Sequence, residues 1–301
     1  MQLNFIKMQA SGNDYVYFDT RINSFPCLDA SHFCEFVRKV SDRHFGIGGD
    51  GVVMIFLPES AENNAKMRIF NADGSEGMMC GNALRSLGAY LLLSEKNPIL
   101  SKEYRIETAS GVRTVFSNRN SVEVLQTAYS SVNMSFPSFL SISPDFDISL
   151  LSLFDIYLGN NISISSIPKL LSYDFVSVGN PHLVLIFDDE LPTDFAEFLG
   201  HEINNSVYFS GGVNVDFSYI PEANAVAVLT YERGSELTLS CGSGACASAF
   251  SALNRNFVKE SRIRIFQQGG NVEISLADNG EFILSGNAEI VFTGSFVYNF
   301  S

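Results

Sequence analysis

Two helix-forming stretches of this sequence have no side to offer to water. Residues 82–93, Asn-Ala-Leu-Arg-Ser-Leu-Gly-Ala-Tyr-Leu-Leu-Leu, carry one charge, and residues 244–253, Gly-Ala-Cys-Ala-Ser-Ala-Phe-Ser-Ala-Leu, carry none. A surface helix keeps a polar stripe; a helix that is apolar or small all round must be enclosed. Strand-like segments precede and follow both stretches, so the expected enclosure is a curled sheet. Most of the remaining chain reads as short runs rich in Val, Ile, Phe and Tyr, bounded by Gly, Asn, Asp and Pro. Strands are expected at 15–18, 51–57, 105–108, 122–125, 175–178, 182–187, 213–220, 225–231, 263–266, 271–276 and 289–292. Two further helices are expected at about 30–42 and 193–203.

The two enclosed helices are introduced in the same way. Gly74-Ser75-Glu76 leads, across three intervening residues, to Cys80-Gly81; Gly234-Ser235-Glu236 leads, across four, to Cys241-Gly242. The cysteines lie about half a chain length apart, and each half has an upstream Gly-Asn pair, Gly12-Asn13-Asp14 and Gly179-Asn180-Pro181. This order of motifs reads as a duplication. The N-terminal half is 1–127 and the C-terminal half 128–287, joined through a Ser-rich, weakly patterned stretch at about 127–172.

At 301 residues, 46% of them hydrophobic, the chain is long enough for two packed domains and too apolar for a disordered one. Its formal net charge of −14 argues against a nucleic-acid backbone or an anionic membrane surface as partner. Aliphatic runs such as 52–57 are far too short to span a bilayer, and the first residues lack the apolar core of a secretion signal, so a cytoplasmic location is expected. Five cysteines without short regular spacing do not make a disulfide framework, and there is no Cys-x-x-Cys or His-x-x-x-His pair to hold zinc. Residues 46–51, Gly-Ile-Gly-Gly-Asp-Gly, satisfy the letter of a dinucleotide fingerprint. They follow a helical stretch and precede a strand, the reverse of what that fingerprint needs, and read as a tight turn.

Cys27, Cys34 and Cys246 read as small buried hydrophobes. Cys80 and Cys241 differ, because each stands where the chain enters an enclosed helix. The first N–H groups of a helix have no internal partner and the dipole is positive there, so both thiols are expected to ionise more readily than usual. The glycine after each lets the backbone approach a bound anion. Two such groups on opposite faces of one carbon are what inversion of a stereocentre requires: one takes a proton and the other delivers one.

Five blocks spread over most of the chain resemble the diaminopimelate epimerase family. They are Ser11-Gly12-Asn13-Asp14, residues 42–51 (Asp-Arg-His-Phe-Gly-Ile-Gly-Gly-Asp-Gly), Asn71-Ala72-Asp73-Gly74-Ser75-Glu76 leading to Cys80-Gly81-Asn82, Gly179-Asn180-Pro181-His182, and Glu232-Arg233-Gly234 leading to Cys241-Gly242-Ser243-Gly244-Ala245. The resemblance implies an α/β fold of α+β type with two pseudo-symmetric halves. Each would be a barrel-like, mainly antiparallel mixed sheet wrapped round a central buried helix, with the final strand, about 288–301, packing back onto the first half and the active site between the halves. It implies interconversion of LL- and meso-diaminopimelate, in lysine and peptidoglycan-precursor biosynthesis, with neither pyridoxal phosphate nor metal, by a cytoplasmic enzyme for which a homodimer is in keeping.

By position, Cys80 and Cys241 match the family's thiolate base and thiol acid, and His182 and Glu232 match residues that tune them. Asn13, Asn71, Asn180, Asn214, Glu232 and Arg233 match substrate contacts, Arg233 pairing its planar fork with a carboxylate. The N–H groups around Gly81-Asn82 and Gly242-Ser243 would bind the reacting carboxylate. The family commonly continues its first cysteine block Cys-Gly-Asn-Gly-Ala-Arg-Cys, whereas this chain has Ala83, Leu84 and Ser86 in the last positions around Arg85, and Ser243 stands where Thr is usual. These departures open the alternative of another amino acid, such as glutamate, as substrate. Proline-type racemases of the same fold usually have His after the first Cys-Gly, where this chain has Asn82; phenazine-type isomerases lack the thiol pair. A non-catalytic binding module and a thiol redox sensor are the readings from other classes.

Overall fold

A computed structural model of the chain describes residues 1–26, 29–121, 123, 126–141, 167–209 and 211–299. Cys27 and, apart from Glu123, the strand expected at 122–125 lie outside the described residues. The chain forms two compact units, Met1–Asn133 with Leu284–Ser301, and Met134–Ile283.

The first unit runs β1 (Gln2–Ala10), β2 (Asn13–Asp19), α1 (Ala30–Ser41), β3 (Gly51–Phe56), β4 (Ala65–Asn71), β5 (Glu76–Gly77), α2 (Gly81–Leu93), β6 (Ser101–Thr108), β7 (Gly111–Asn118) and β8 (Thr127–Asn133). The second runs β9 (Ser138–Phe139), β10 (Leu170–Ser177), β11 (Pro181–Phe187), α3 (Thr193–Asn204), β12 (Asn214–Tyr219), β13 (Ala225–Glu232), β14 (Glu236–Thr238), α4 (Gly242–Asn254), β15 (Arg262–Phe266) and β16 (Val272–Leu276). The long strand β17 (Phe282–Val297) then carries the chain back into the first unit.

In the first unit β1 and β2 are antiparallel, β2 and β3 parallel, β3 and β4 antiparallel, β4 and β6 parallel, and β6, β7 and β8 antiparallel in turn. β17 pairs with both β8 and β1 and so closes a ring of eight strands. α2 fills that ring, packing against β1, β2, β6, β7 and β8 with every residue from Gly81 to Leu92 buried. This is why the helix has no polar stripe. The fit leaves no room to spare: a Cβ on Gly88 would come within 2.4 Å of Val115 and 2.6 Å of the Ser117 hydroxyl.

The second unit repeats the order. β10 and β11 are antiparallel, β11 and β12 parallel, β12 and β13 antiparallel, β13 and β15 parallel, and β15 and β16 antiparallel, with β9 beside β10. α4 packs on β10, β11, β12, β13, β15 and β16. In both units a short strand, β5 or β14, pairs antiparallel with its predecessor and leads into the enclosed helix. The two halves therefore share one topology.

α1 and α3 are amphipathic and cover the outer faces. Phe36, Val37 and Val40 pack on Val16, Phe18, Val52 and Met54, and Phe195, Leu199 and Ile203 pack on Leu183, Leu185, Phe187, Val215 and Phe217. Each such side chain contributes roughly 1.5–3 kcal/mol through burial. Strands such as β2 and β11 are thus covered on both faces, which makes them read as unbroken apolar runs. On β12 the alternation sends Val215 and Phe217 towards α3; Ser218, on the other face, donates to Ser248 of α4 at 3.0 Å. Among the described residues no helix is long and apolar enough to cross a membrane.

Candidate active site

In the first unit Cys80 is the N-cap of α2, in extended backbone (φ −136°, ψ 124°), so Gly81 and Asn82 form the first turn of the enclosed helix. The Cys80 thiol donates to Asn13 Oδ1 at 3.5 Å. Asn13 opens β2, and its Nδ2 donates to Asp50 Oδ2 at 2.6 Å; the Asp14 N–H donates to the same oxygen at 3.0 Å. Arg43 bridges Asp50 and Asp14, at 2.9 and 2.7 Å, and Lys7 pairs with Asp14. Burial raises the Asp14 carboxyl, but hydrogen bonds and charge from Arg43 and Lys7 outweigh it and hold it below the ordinary carboxylate range. Burial, with the Asp14 charge added, lifts Asp50 instead. The glycine-rich turn at 46–51 therefore serves to deliver Asp50 to Asn13.

Asn82 is buried, and its Oδ1 accepts from Arg85 Nη2 at 2.7 Å. Arg85 is wholly enclosed; it also donates to the Asn287 carbonyl at 3.0 Å and to Ser11 Oγ at 3.2 Å. Burial pulls its guanidinium down to about 10, against the opposing pull of the Cys80 charge. Asn71 ends β4 and donates to Ser75 Oγ at 3.0 Å, within the turn that leads to Cys80. That turn is tied to the same cluster by the Ala72 N–H on the Asp50 carbonyl, at 3.0 Å. Cys34 donates to the Gly74 carbonyl.

In the second unit Cys241 is the N-cap of α4 (φ −128°, ψ 116°), with Gly242 and Ser243 as the first turn. Its Sγ accepts from the Gly244 N–H at 3.3 Å and lies 3.4 Å from Ser243 Oγ. His182, at the start of β11, is completely buried; Nδ1 is 2.7 Å from Asp216 Oδ2 and Nε2 is 3.0 Å from Ser243 Oγ. Asn180 Nδ2 donates to Ser243 Oγ at 3.3 Å. Asn214 accepts the Arg233 N–H on Oδ1 at 2.9 Å and turns Nδ2 to His182 Nε2 at 3.3 Å. Glu232 ends β13 and accepts from Thr238 Oγ1 at 2.7 Å; the Arg233 guanidinium rests on the Gly211 carbonyl at 3.0 Å.

Register brings these groups together. The parallel pairing of β11 with β12 sets His182 beside Asn214 and Val184 beside Asp216, and β12 with β13 sets Asp216 beside Thr230.

The expectation that both thiols are easily ionised fails at Cys241. Burial pushes this thiol well up, and the charges of Glu232 and Asp216 push it further, outweighing the Ser243 hydroxyl and the Gly244 N–H at the helix start. Burial also raises Glu232. Cys246 is a buried small side chain inside α4, its thiol raised by burial alone. Among the described residues no group of three or more His, Cys, Asp and Glu is arranged to hold a metal ion.

Each unit thus gathers its own expected residues: Asn13, Cys80, Gly81 and Asn82 in the first, with Asn71 one turn away, and Asn180, His182, Asn214, Glu232, Arg233, Cys241, Gly242 and Ser243 in the second. Sequence reasoning missed Asp216, and gave Asp50 and Arg85 no role. A charged residue inside an apolar strand, as in Asn-Val-Asp-Phe-Ser-Tyr at 214–219, was the signal for Asp216.

The family model of diaminopimelate epimerase matches residues 5–132 and 175–291. The chain belongs to that family. A diaminopimelate epimerase of Halothermothrix orenii is 33% identical over 303 residues, covering 99% of both chains. One from Leptospira biflexa is 34% identical over 301 residues, covering 98% of this chain and 99% of the relative. Among solved structures, a phenazine biosynthesis protein of the PhzF family from Bacillus anthracis has a TM-score of 0.69 at 14% identity, covering 99% of this chain and all of that one. A hydroxyproline epimerase from Agrobacterium vitis has a TM-score of 0.58 at 14% identity, covering 99% of this chain and 91% of that one. These two share the fold alone, so it is the sequence that separates this member of the diaminopimelate epimerase family from them.

Proposed function

We propose that this chain interconverts LL- and meso-2,6-diaminopimelate by proton transfer at one α-carbon, with Cys80 and Cys241 as the proton-transfer groups. The thiolate of one takes the α-proton and becomes a thiol. The thiol of the other delivers its proton to the opposite face and becomes a thiolate. Nothing is consumed, and the reverse reaction exchanges the roles.

The observation that carries this reading is that both cysteines cap the first turn of a largely buried helix while standing in opposite electrostatic company. Cys241, buried beside two carboxylates, rests as the proton donor. Cys80 interacts with the buried Arg85 cation and serves as the base. Arg233, with Asn13, Asn71, Asn180, Asn214 and Glu232, supplies the donors and acceptors a zwitterion needs. The first-turn N–H groups at Gly81-Asn82 and Gly242-Ser243 bind the carboxylate whose charge grows as the α-proton leaves.

The test is incubation with pure LL-diaminopimelate in heavy water without added cofactor, followed by chiral separation. One solvent deuterium at the inverted carbon is expected. Inversion without deuterium incorporation, or near-normal inversion by Cys241→Ala, would rule the two-thiol reading out.

A further inference from the structure

Asp216 enters the scheme above only as a charge near Cys241, yet it is completely buried in the middle of an apolar strand. Both of its oxygens are used: Oδ2 faces His182 Nδ1 at 2.7 Å, and Oδ1 accepts from Thr230 Oγ1 at 2.8 Å. Space for it depends on a glycine of the second cysteine block, since a Cβ on Gly244 would lie 2.4 Å from Asp216 Oδ1.

We propose that Asp216 is a positioning residue for Cys241, acting through His182 and Ser243 to hold the thiol in its proton-donating state; this rests on the epimerase reading of Cys241. The hydrogen bonds fix the direction of each link. Asn214 Oδ1 takes the Arg233 N–H, so its amide nitrogen faces His182 Nε2. An amide N–H only donates, so Nε2 is an acceptor and carries no proton. The ring proton is then on Nδ1, where Asp216 receives it. The Ser243 hydroxyl hydrogen is drawn to Nε2 at 3.0 Å, and the Ser243 oxygen, already accepting from Asn180, meets Cys241 with a lone pair. A lone pair accepts an S–H bond and repels a thiolate. Ser243 can serve the thiolate only by turning its hydrogen away from His182, and Asp216 opposes that turn.

The other groups facing this sulfur divide in the same way. Glu232, from β13, disfavours negative sulfur, whereas the Gly244 N–H and the start of α4 favour it. Gln267 binds the Cys241 carbonyl rather than its sulfur, and the Arg233 guanidinium is held on Gly211. During turnover the S–H proton passes to the α-carbon, the S–H bond breaks and a C–H bond forms. Ser243 then rotates to donate to the new thiolate while Nε2 keeps the Asn214 amide. The reverse reaction restores the thiol and turns Ser243 back.

The first measurement needs no variant. Nitrogen-15 NMR of His182 in the wild type should show the proton on Nδ1 and a bare Nε2; a proton on Nε2 overturns the proposal. In Asp216→Asn, Thr230 keeps the amide oxygen, so the amide NH2 faces Nδ1 and the tautomer should reverse. Ser243 is then released to the sulfur. The midpoint of the pH profile for Cys241 alkylation by iodoacetamide, read by mass spectrometry, should move down by about one unit. The kcat should fall about 100-fold with KM changed less than about threefold. In a Ser243→Ala background the same Asp216→Asn change should move the midpoint by less than half as much. An equal movement there means that Asp216 acts only as a charge through space, and overturns the relay. Neither NMR nor alkylation uses substrate, so a wild type that fails to turn over LL-diaminopimelate strikes the substrate reading and leaves this one to its own tests.

Discussion

The two enclosed helices begin alike and are surrounded differently. Both have a cysteine N-cap followed by glycine, and both starts lie at the end of a short strand paired to its predecessor. At α2 the company is amide and cation: Asn13 Oδ1 accepts a long hydrogen bond from the thiol, and Arg85, three residues beyond Asn82, places a buried positive charge within electrostatic reach. At α4 it is carboxylate: Glu232 and Asp216 act against ionisation, and the sulfur caps its own helix through the Gly244 N–H. The lesson is that a helix N-terminus is a weak lever on a thiol. Full burial and two nearby negative charges overrule it.

The comparison breaks first at the sulfurs. Cys80→Ala and Cys241→Ala should each lose inversion by about 10⁴-fold or more while keeping native circular dichroism; a single variant with substantial turnover would mean that the two starts are not a working pair. Glu232→Gln should lower kcat about 100-fold and let Cys241 alkylate at lower pH, with Cys80 unmoved. It also has a signed effect on stability. Glu232 is raised on folding, so its favourable contribution is complete below the unfolded value, about 4.3, and is lost as pH rises through the folded value. Urea melts at rising pH should therefore show the wild type losing stability relative to Glu232→Gln; the opposite slope would mean that burial is not what lifts this carboxyl.

Arg85→Met should act only on the other start. Alkylation of Cys80 at neutral pH should slow about tenfold. Stability should fall by about 2 kcal/mol, because Asn82 Oδ1, Ser11 and the Asn287 carbonyl lose a buried donor. Equal slowing at Cys241 would erase the contrast. The smallest effect is expected from Asp50→Asn, which loosens the Asn13 amide without touching a thiol: a three- to tenfold rise in KM, by order of magnitude, with kcat little changed.

Much of this was legible because enclosure leaves a mark. A helix without a polar stripe fixed α2 and α4, and an apolar face fixed α1 and α3. The strands that went unseen mix polar residues into buried positions. β1 places Lys7 inside the molecule to reach Asp14, β7 and β8 turn Ser117 and Ser130 inward to pair at 2.8 Å, and β17 buries Ser285, which donates to the half-buried Ser131 at 2.8 Å. Hydroxyls that satisfy one another can be buried without apolar alternation, so periodicity does not find them. At the site, Cys80, Cys241, Asn13 and Asn180 stand out through repeated motifs, whereas Asn71, Asn82, Asn214 and Arg233 are picked out only by the family resemblance. Asp216 was legible in neither way, because its importance comes from its neighbours across β11 and β13 rather than from its own local sequence.

Strand β17 has a consequence for the order in which the chain comes together. The first unit's ring is open along β1 and β8 until residues from 284 onward take their place between them. During synthesis the opening 133 residues must therefore wait, with two unpaired strand borders exposed, while the whole second unit emerges from the ribosome. Removing β17 would leave not a shorter enzyme but a barrel with a missing stave, prone to borrow one from another molecule.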